Sequence, residues 1–313
     1  MSDIMGKLSP ILALIFFGFL LRRKQYFEPV AFSRIQDMVV NIAIPCMLFT
    51  SFVNMRFSNQ YLLLSLSYTV YLILLLGAGF LIYHLFRLRY RFFPFLLSCF
   101  GFGTLGLPLY TILFGAENTQ YMSVLGVGHE LFVAVLFLPL IRAYFSGERY
   151  SVRRGLRALL SPTLVMVALA LLIRGFGLNR LLTDNFLGVG VAGAIDKLGG
   201  LTLVLSLVMV GYRMRFSNLD NVRTSFAYAG IRILATLGLG TLYRILIINR
   251  FTRGEILFDH AYNILMIQHG SLALTALVGQ YCSLEEQEVV NNVFVINVMA
   301  SFVILVAYLA IWT

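Results

Sequence analysis

The sequence predicts an all-α integral membrane protein of about ten transmembrane helices, arranged as two inverted five-helix repeats. Three observations support this prediction: the composition, the lengths of the apolar runs, and short motifs that recur along the chain. Of the 313 residues, 59% are hydrophobic and 12% are charged, whereas soluble domains carry roughly a quarter charged residues. A chain of this composition cannot cover itself with polar surface, so we expect the lipid bilayer to surround it.

Apolar runs define the predicted helices, because a helix that crosses a bilayer needs about 20 mostly apolar residues. Lys and Arg collect in alternate loops between these runs, as at residues 21–24 and 87–91. Loops rich in Lys and Arg lie on the cytoplasmic side, so we expect a multi-pass protein of the cell membrane with both termini outside. The predicted helices are residues 8–21, 30–53, 61–86, 92–115, 121–144, 156–173, 186–211, 222–247, 256–278 and 289–312.

The net charge of +10 would raise the question of nucleic-acid binding in a soluble protein. Here the basic residues flank apolar runs, and no basic patch accompanies a recognisable nucleic-acid-binding fold. We therefore expect no nucleic-acid partner.

Nothing in the sequence indicates catalysis, a metal site or a cofactor. Cys46, Cys99 and Cys282 lie in or beside apolar runs and form no CxxC pair, which is typical of small packing residues. The chain has neither an HExxH helix nor a GxSxG elbow. We expect a protein that is not an enzyme and that uses no metal or cofactor.

Internal repetition is the most informative feature of the sequence. The pentapeptide MRFSN follows the second predicted helix at residues 55–59 and the seventh at residues 214–218. Leu-Ser-Pro opens the first helix and the sixth, and residues 103–107 match residues 270–274 more weakly. All three matches fall five helices apart and in the same order.

A five-helix repeat has a consequence for topology. Because five is odd, the second copy enters the membrane from the opposite side, which gives a pseudo-two-fold axis in the membrane plane. We divide the chain into a first repeat at residues 1–145, a basic cytoplasmic linker at residues 146–155, and a second repeat at residues 156–313.

The fourth and ninth predicted helices contain the best candidates for a binding site. In inverted-repeat transporters, Gly or Pro interrupts one helix of each half near the bilayer midplane, and the freed backbone groups bind solutes. The N-terminal ends of such half-helices favour an anion. The alternative is that these glycines only permit close helix packing. The candidate residues are Gly101, Phe102, Gly103, Thr104, Gly106 and Pro108 in the first half, and Gln268, His269, Gly270 and Ser271 in the second.

Other polar residues lie within predicted helices. His129 and Glu130 are adjacent in the fifth helix, where ionisable side chains are costly and usually face a cavity or a partner. One hypothesis is that either residue carries a coupling proton; the other is a structural contact. Asn41 and Pro45 lie midway along the second helix, where they line a pocket or serve packing.

A resemblance follows from two of these motifs. The stretch NIAIPCMLF at residues 41–49, with GTLGLPL at residues 103–109 and then Phe114-Gly115, resembles the auxin efflux carrier family of membrane transporters. The resemblance covers nearly the whole chain. It implies ten helices, crossing broken helices 4 and 9, a scaffold half and a transport half, a homodimer, and organic anions such as auxin, malate or malonate as substrates. The long cytoplasmic loop of plant members is absent, so the chain is more similar to short microbial members.

The chain also departs from the family pattern. The family usually has asparagine at the crossover of helix 4, where this chain has Gly101, and proline in helix 9, where it has residues 268–270. Gly106 and Pro108 match the pattern. His269 is a candidate replacement ligand without family support.

The expected function is that of a secondary active transporter that moves a small carboxylate by alternating access. Protons are favoured over sodium as the coupling ion, because His129, Glu130 and His269 can titrate and no cluster of carboxylates indicates a sodium site. Three alternatives remain open on the same fold: a sodium-coupled carrier, an anion channel and a membrane-embedded sensor.

Overall fold

The computed structural model describes residues 2–55, 59–147, 159–214, 221–252 and 254–312. Within these ranges the chain is helical, apart from loops and one isolated β-bridge. The α-helices are α1 (Ser2–Arg23), α2 (Pro29–Met38), α3 (Ile44–Asn54), α4 (Asn59–Leu85), α5 (Phe93–Ser98), α6 (Leu107–Phe114), α7 (Thr119–Phe132), α8 (Leu138–Ser146), α9 (Pro162–Gly175), α10 (Arg180–Thr183), α11 (Phe186–Arg213), α12 (Val222–Tyr243), α13 (Asn249–Thr252), α14 (Ile256–Ile267), α15 (Leu272–Tyr281) and α16 (Leu284–Trp312).

Six helices in the described ranges are long and apolar enough to cross a membrane. Several of them join two or more α-helices through a π-helical segment without a break. They run over Val30–Asn54, Gln60–Leu85, Ala116–Ser146, Phe186–Arg213, Val222–Thr252 and Leu284–Ile311. Shorter apolar helices cover the sixth predicted run as Pro162–Gly175 and most of the fourth and ninth as Phe102–Phe114, Ile256–Ile267 and Leu272–Tyr281.

Two elements of the predicted repeat organisation fall mostly outside the described ranges. Only the ends of the two MRFSN motifs, residues 55 and 59 and residue 214, are described. The predicted linker at residues 146–155 is described only at its first two residues. The repeat boundaries therefore stay predictions.

Proline explains three of the four π-helical segments in the described ranges. Val39–Ala43, Phe102–Gly106 and Val133–Phe137 each end two residues before a proline. Proline lacks the N–H for the i→i−4 bond, and its ring clashes with that carbonyl. A wider π turn before the proline relieves the clash, and such segments often lie at functional sites.

The helices pack into two bundles. In the first bundle, α1 packs on α11, and α3 packs on both α9 and α11. The second bundle joins the remaining long helices through contacts of α4 with α5 and α7, α12 with α5 and α16, and α14 and α15 with α16. Where the bundles meet, α11 contacts α6 and the π segment Phe102–Gly106, and α7 contacts α3 and α9.

A polar clamp centred on the loop residues Arg89 and Tyr90 ties together parts of the second bundle. The Tyr90 hydroxyl donates to Glu285 Oε1 at 2.7 Å, and Arg89 Nη2 donates to Glu285 Oε2 at 3.0 Å. The Tyr228 hydroxyl accepts from the Arg89 amide at 3.1 Å. Burial, together with the Glu285 contact, raises the pKa of Tyr90 to about 12. The neutral phenol therefore remains a hydrogen-bond donor at physiological pH.

Reciprocal glycines set the close approach of α1 and α11. A Cβ added to Gly18 would lie 2.0 Å from the carbonyl oxygen of Val208, and a Cβ added to Gly211 would lie 1.8 Å from that of Ile15. Small residues at such positions let two helix backbones touch in a membrane, where packing drives association. A larger side chain must push the helices apart.

We predict that Gly211→Ala lowers the thermal unfolding midpoint in detergent. The added methyl group meets a backbone carbonyl that cannot rotate away, and overpacking of this kind costs about 1–3 kcal/mol. Gly193→Ala is the matched control on α11, because nothing lies within 4 Å of a Cβ there; its midpoint should be unchanged or slightly higher. Equal midpoints for the two variants would contradict the close contact.

Candidate functional site

Two interrupted helices cross at the centre of the second bundle. The first break, Cys99–Gly101, separates α5 from the π segment that leads into α6, and the second, Gln268–Ser271, separates α14 from α15. Phe100 and Gly270 form an antiparallel bridge between them. The Gly101 amide donates to the His269 carbonyl at 2.9 Å, and the Ser271 amide to the Cys99 carbonyl at 3.1 Å. Both predicted interruptions are thus present, including the second, which lacks proline.

Gly101 makes the crossing close. A Cβ on this residue would lie 2.4 Å from Cε1 of the His269 ring, with two further ring atoms within 3 Å. The missing side chain at Gly101 therefore leaves the space that the imidazole fills. Gly126 of α7 plays a similar part for Phe102, because its Cβ would lie 2.0 Å from the Phe102 ring.

Free backbone amides begin the half-helix that starts at Phe102, whereas the amides at the start of α15 are largely paired. The N–H groups of Phe102, Gly103 and Thr104 form the first turn of their helix and have no partner among the described residues. On α15 the Ser271 hydroxyl accepts from the Ala273 amide at 3.1 Å and caps the helix. Gly103, Thr104 and Ser271 are partly exposed, whereas most of the crossover is buried.

The first bundle reaches this point through α11 and α3. The Ser206 hydroxyl donates to the Gly103 carbonyl at 3.2 Å, and a Cβ on Gly103 would lie 2.6 Å from Ile44 Cδ1. Gly103 is therefore the place where the crossover touches the facing bundle. Sequence reasoning identified Gly103 but not Ser206, because one serine in an apolar helix gives no signal of its partner.

Several buried polar atoms at the crossover have no hydrogen-bond partner in the described part of the chain. His269 Nδ1 donates to the Gly270 carbonyl, and its Nε2 is left without a partner in a fully buried ring. Gln268 Oε1 is likewise unpaired, although its Nε2 donates to the Ile264 carbonyl. Ser98 Oγ, just before the first break, is a third such atom. Unpaired buried polar atoms are uncommon, and these three belong to residues in or next to the two breaks.

Arg232 of α12 is the central residue that sequence reasoning missed. Its side chain is 1% exposed, its Nε donates to the Leu96 carbonyl at 2.8 Å, and its Nη2 donates to the Gln268 carbonyl at 2.9 Å. The guanidinium also lies 5.4 Å from the centroid of the Phe100 ring. The available signal was a lone basic residue inside an apolar run, which usually marks a functional position.

His129 and Glu130 of α7 lie beside the crossover and contact each other. His129 Nε2 accepts from the Phe100 amide at 3.3 Å, so the imidazole supports the backbone at the first break. His129 Nδ1 lies 3.4 Å from Glu130 Oε1. The histidine is buried, whereas a quarter of the Glu130 side chain is exposed. The pair thus links the crossover to a more accessible carboxylate.

The predicted residues of the second helix are placed less directly. Asn41 is exposed within the π segment Val39–Ala43, and its amide donates to the Asp37 carbonyl of its own helix at 3.0 Å. Pro45 is buried at the start of α3, as Pro108 is at the start of α6. A substrate-binding role for Asn41 and Pro45 stays a prediction.

Two cavities lie between the bundles. One of about 360 Å³ separates α3 and α11 from the junction of α6 and α7, with Ser51, Glu117, Asp196 and Lys197 in its wall. Another of about 750 Å³ lies between the ends of α1 and α11 and the middle of α16. Among the described residues, no group of three His, Cys, Asp or Glu side chains could hold a metal ion.

The interrupted crossing helices and the number of apolar helices define a multi-pass membrane protein built for transport. The family profile described as "Membrane transport protein" matches residues 3–308. The chain therefore belongs to this family, which is the auxin efflux carrier family, and the resemblance noted in its sequence is confirmed. Comparison with curated proteins finds no match.

We predict that His129→Ala destabilises the protein. The change leaves the buried Phe100 amide without its acceptor, which costs about 1–3 kcal/mol. His129→Gln supplies an amide oxygen and should recover part of the loss, whereas His84→Ala, at the exposed end of α4, should have little effect. Thermal unfolding in detergent measures all three. A His129→Ala variant as stable as the unmodified protein would show that this hydrogen bond is unimportant.

Proposed function

We propose that this protein is a secondary active transporter that moves a small organic anion, most simply a carboxylate such as malate, malonate or an auxin-like acid, by alternating access. The observation that carries the proposal is the crossing of two interrupted helices, with free amides at Phe102, Gly103 and Thr104 where the crossover meets the facing bundle. A continuous helix would pair these backbone amides internally, as the interior of a membrane requires.

The charges around the crossover favour an anion. Helix N-termini carry positive partial charge, and both α15 and the π segment before α6 begin at the break. Arg232 adds a full positive charge, and no carboxylate pairs with it among the described residues. A carboxylate beside Gly103 and Thr104 would accept hydrogen bonds from their free amides.

Alternating access is supported by the arrangement of bundles and cavities. Given the predicted topology, the cavity beside Glu117 opens outside and the cavity beside Arg22 and Arg23 opens to the cytoplasm. Both lie between the bundles. Rocking of the first bundle against the second would open and close them in turn. Both termini would then lie outside the cell membrane.

His129 and Glu130 are the proposed route for a coupling proton. Glu130 is accessible enough to exchange a proton, and His129 contacts both Glu130 and the backbone of the crossover. A proton taken up at this pair would change the charge near the bound anion.

Counterflow in proteoliposomes tests the carrier directly. Saturable uptake of labelled malate, malonate or indole acetate, stimulated by unlabelled substrate inside, is expected of a carrier. We predict that Gly103→Leu abolishes it, because the side chain would fill the space between the crossover and Ile44. Gly77→Leu on α4, with nothing within 4 Å of its Cβ, should transport normally.

The outcomes of this assay separate the alternatives. Flux that neither saturates nor responds to internal substrate would favour an anion channel over a carrier. Normal counterflow by Gly103→Leu would count against the proposed site. Binding without any flux would favour a sensor.

We predict that Glu130→Gln abolishes the response of uptake to a pH gradient and leaves substrate counterflow active. The amide keeps the shape of the side chain but cannot carry the proton. Glu286→Gln, in the first turn of α16, is the matched control and should respond normally. Uptake by the unmodified protein that follows a sodium gradient and ignores a pH gradient would overturn proton coupling.

A further inference from the structure

Arg232 joins the two half-helices that end at the crossover. The carbonyl groups that accept its hydrogen bonds belong to Leu96, in the last turn of α5, and to Gln268, which caps the end of α14. Helix C-termini carry unsatisfied carbonyls and negative partial charge. A single guanidinium therefore compensates both negative ends.

Carriers with interrupted helices that couple to sodium place the ion at such positions. There the unwound carbonyls and the C-terminal ends of half-helices coordinate Na⁺, while the N-terminal ends face the anionic substrate. In this chain the carbonyl groups of Leu96 and Gln268 already bind a cation that belongs to the protein.

We infer that the Arg232 guanidinium is a resident cation that takes the place of a coupling sodium ion, so that anion transport by this protein needs no sodium. The inference rests on the proposed transport function and deepens it. It explains how the crossover holds a positive charge opposite the free amides without recruiting an ion from solution.

The surroundings of Arg232 leave little space for a second cation. Its Nε lies 3.8 Å from the position of a Cβ on Gly270, and its guanidinium faces the Phe100 ring. The side chain is almost completely buried, and a buried charge is retained only where hydrogen bonds or partners compensate its desolvation. Here the partners in the described residues are backbone carbonyls and an aromatic ring, which are also the groups that would attract a free cation.

The first test compares cations with the unmodified protein. Counterflow in proteoliposomes should proceed at the same rate with sodium chloride and with choline chloride on both sides. The thermal unfolding midpoint in detergent should likewise be the same in the two salts, because no sodium ion binds to the folded state. Counterflow that requires sodium, or a midpoint that rises with sodium, would overturn the inference and leave the carrier proposal standing.

The second test removes the Arg232 guanidinium by mutation. Arg232→Ala should lose counterflow, and millimolar guanidinium chloride or sodium chloride should restore part of it and raise the unfolding midpoint. Arg223→Ala, exposed on the same helix, should transport normally and respond to neither cation. Arg232→Lys keeps the charge and should retain sodium-independent counterflow.

Each result decides between the alternatives. An Arg232→Ala variant that transports normally in choline chloride, or that folds but responds to neither cation, would overturn the inference. If Arg232→Ala does not fold, the sodium comparison on the unmodified protein and on Arg232→Lys decides the question. If the unmodified protein transports no anion in any salt, the proposed function fails, and the unfolding midpoints still report whether sodium binds.

Discussion

The structure depends on two backbone hydrogen bonds that join the broken helices at their crossing. Inside a bilayer an interrupted helix exposes amide and carbonyl groups that have no water to bind. The bonds between Gly101 and His269 and between Ser271 and Cys99 satisfy four of these groups by pairing one break with the other. Each interruption is therefore stable only because the other one provides its hydrogen-bond partners. The surrounding helices pack around these two crossing helices.

Side chains from neighbouring helices supply hydrogen-bond partners for further backbone groups at the breaks. His129 accepts a hydrogen bond from the Phe100 amide, and Arg232 donates hydrogen bonds to the carbonyls of Leu96 and Gln268. The groups that remain free are the amides of Phe102, Gly103 and Thr104, at the start of the half-helix that leads into α6. The fold thus neutralises the negative ends of the interrupted helices internally and leaves the positive ends available, which is the arrangement expected of an anion carrier.

Local signals in the sequence were enough to locate the crossover, and long-range contacts were not. Three glycines and a proline near Gly103 predicted the first break, and the match with Gly270 predicted the second. Sequence reasoning misses Arg232 because basic residues report orientation only in loops, and because its partner Leu96 lies 136 positions away in sequence. The contact between His129 and Glu130 was also not required by their spacing, since adjacent helical residues point about 100° apart. The proline positions also do not reveal that a π segment precedes three of them.

The glycine contact between α1 and α11 has a mechanical consequence. Where two backbones touch without intervening side chains, no rotamer change can accommodate sliding of one helix along the other. The helices α1 and α11 therefore behave as one rigid unit. Between the crossover and the facing helices α11 and α3, by contrast, the contacts run through movable groups such as Ser206 and Ile44. We therefore expect movement during the transport cycle to be concentrated at the contact between the crossover and the facing helices. The rigid unit of α1 and α11 would stay fixed while the rest of the molecule moves relative to it.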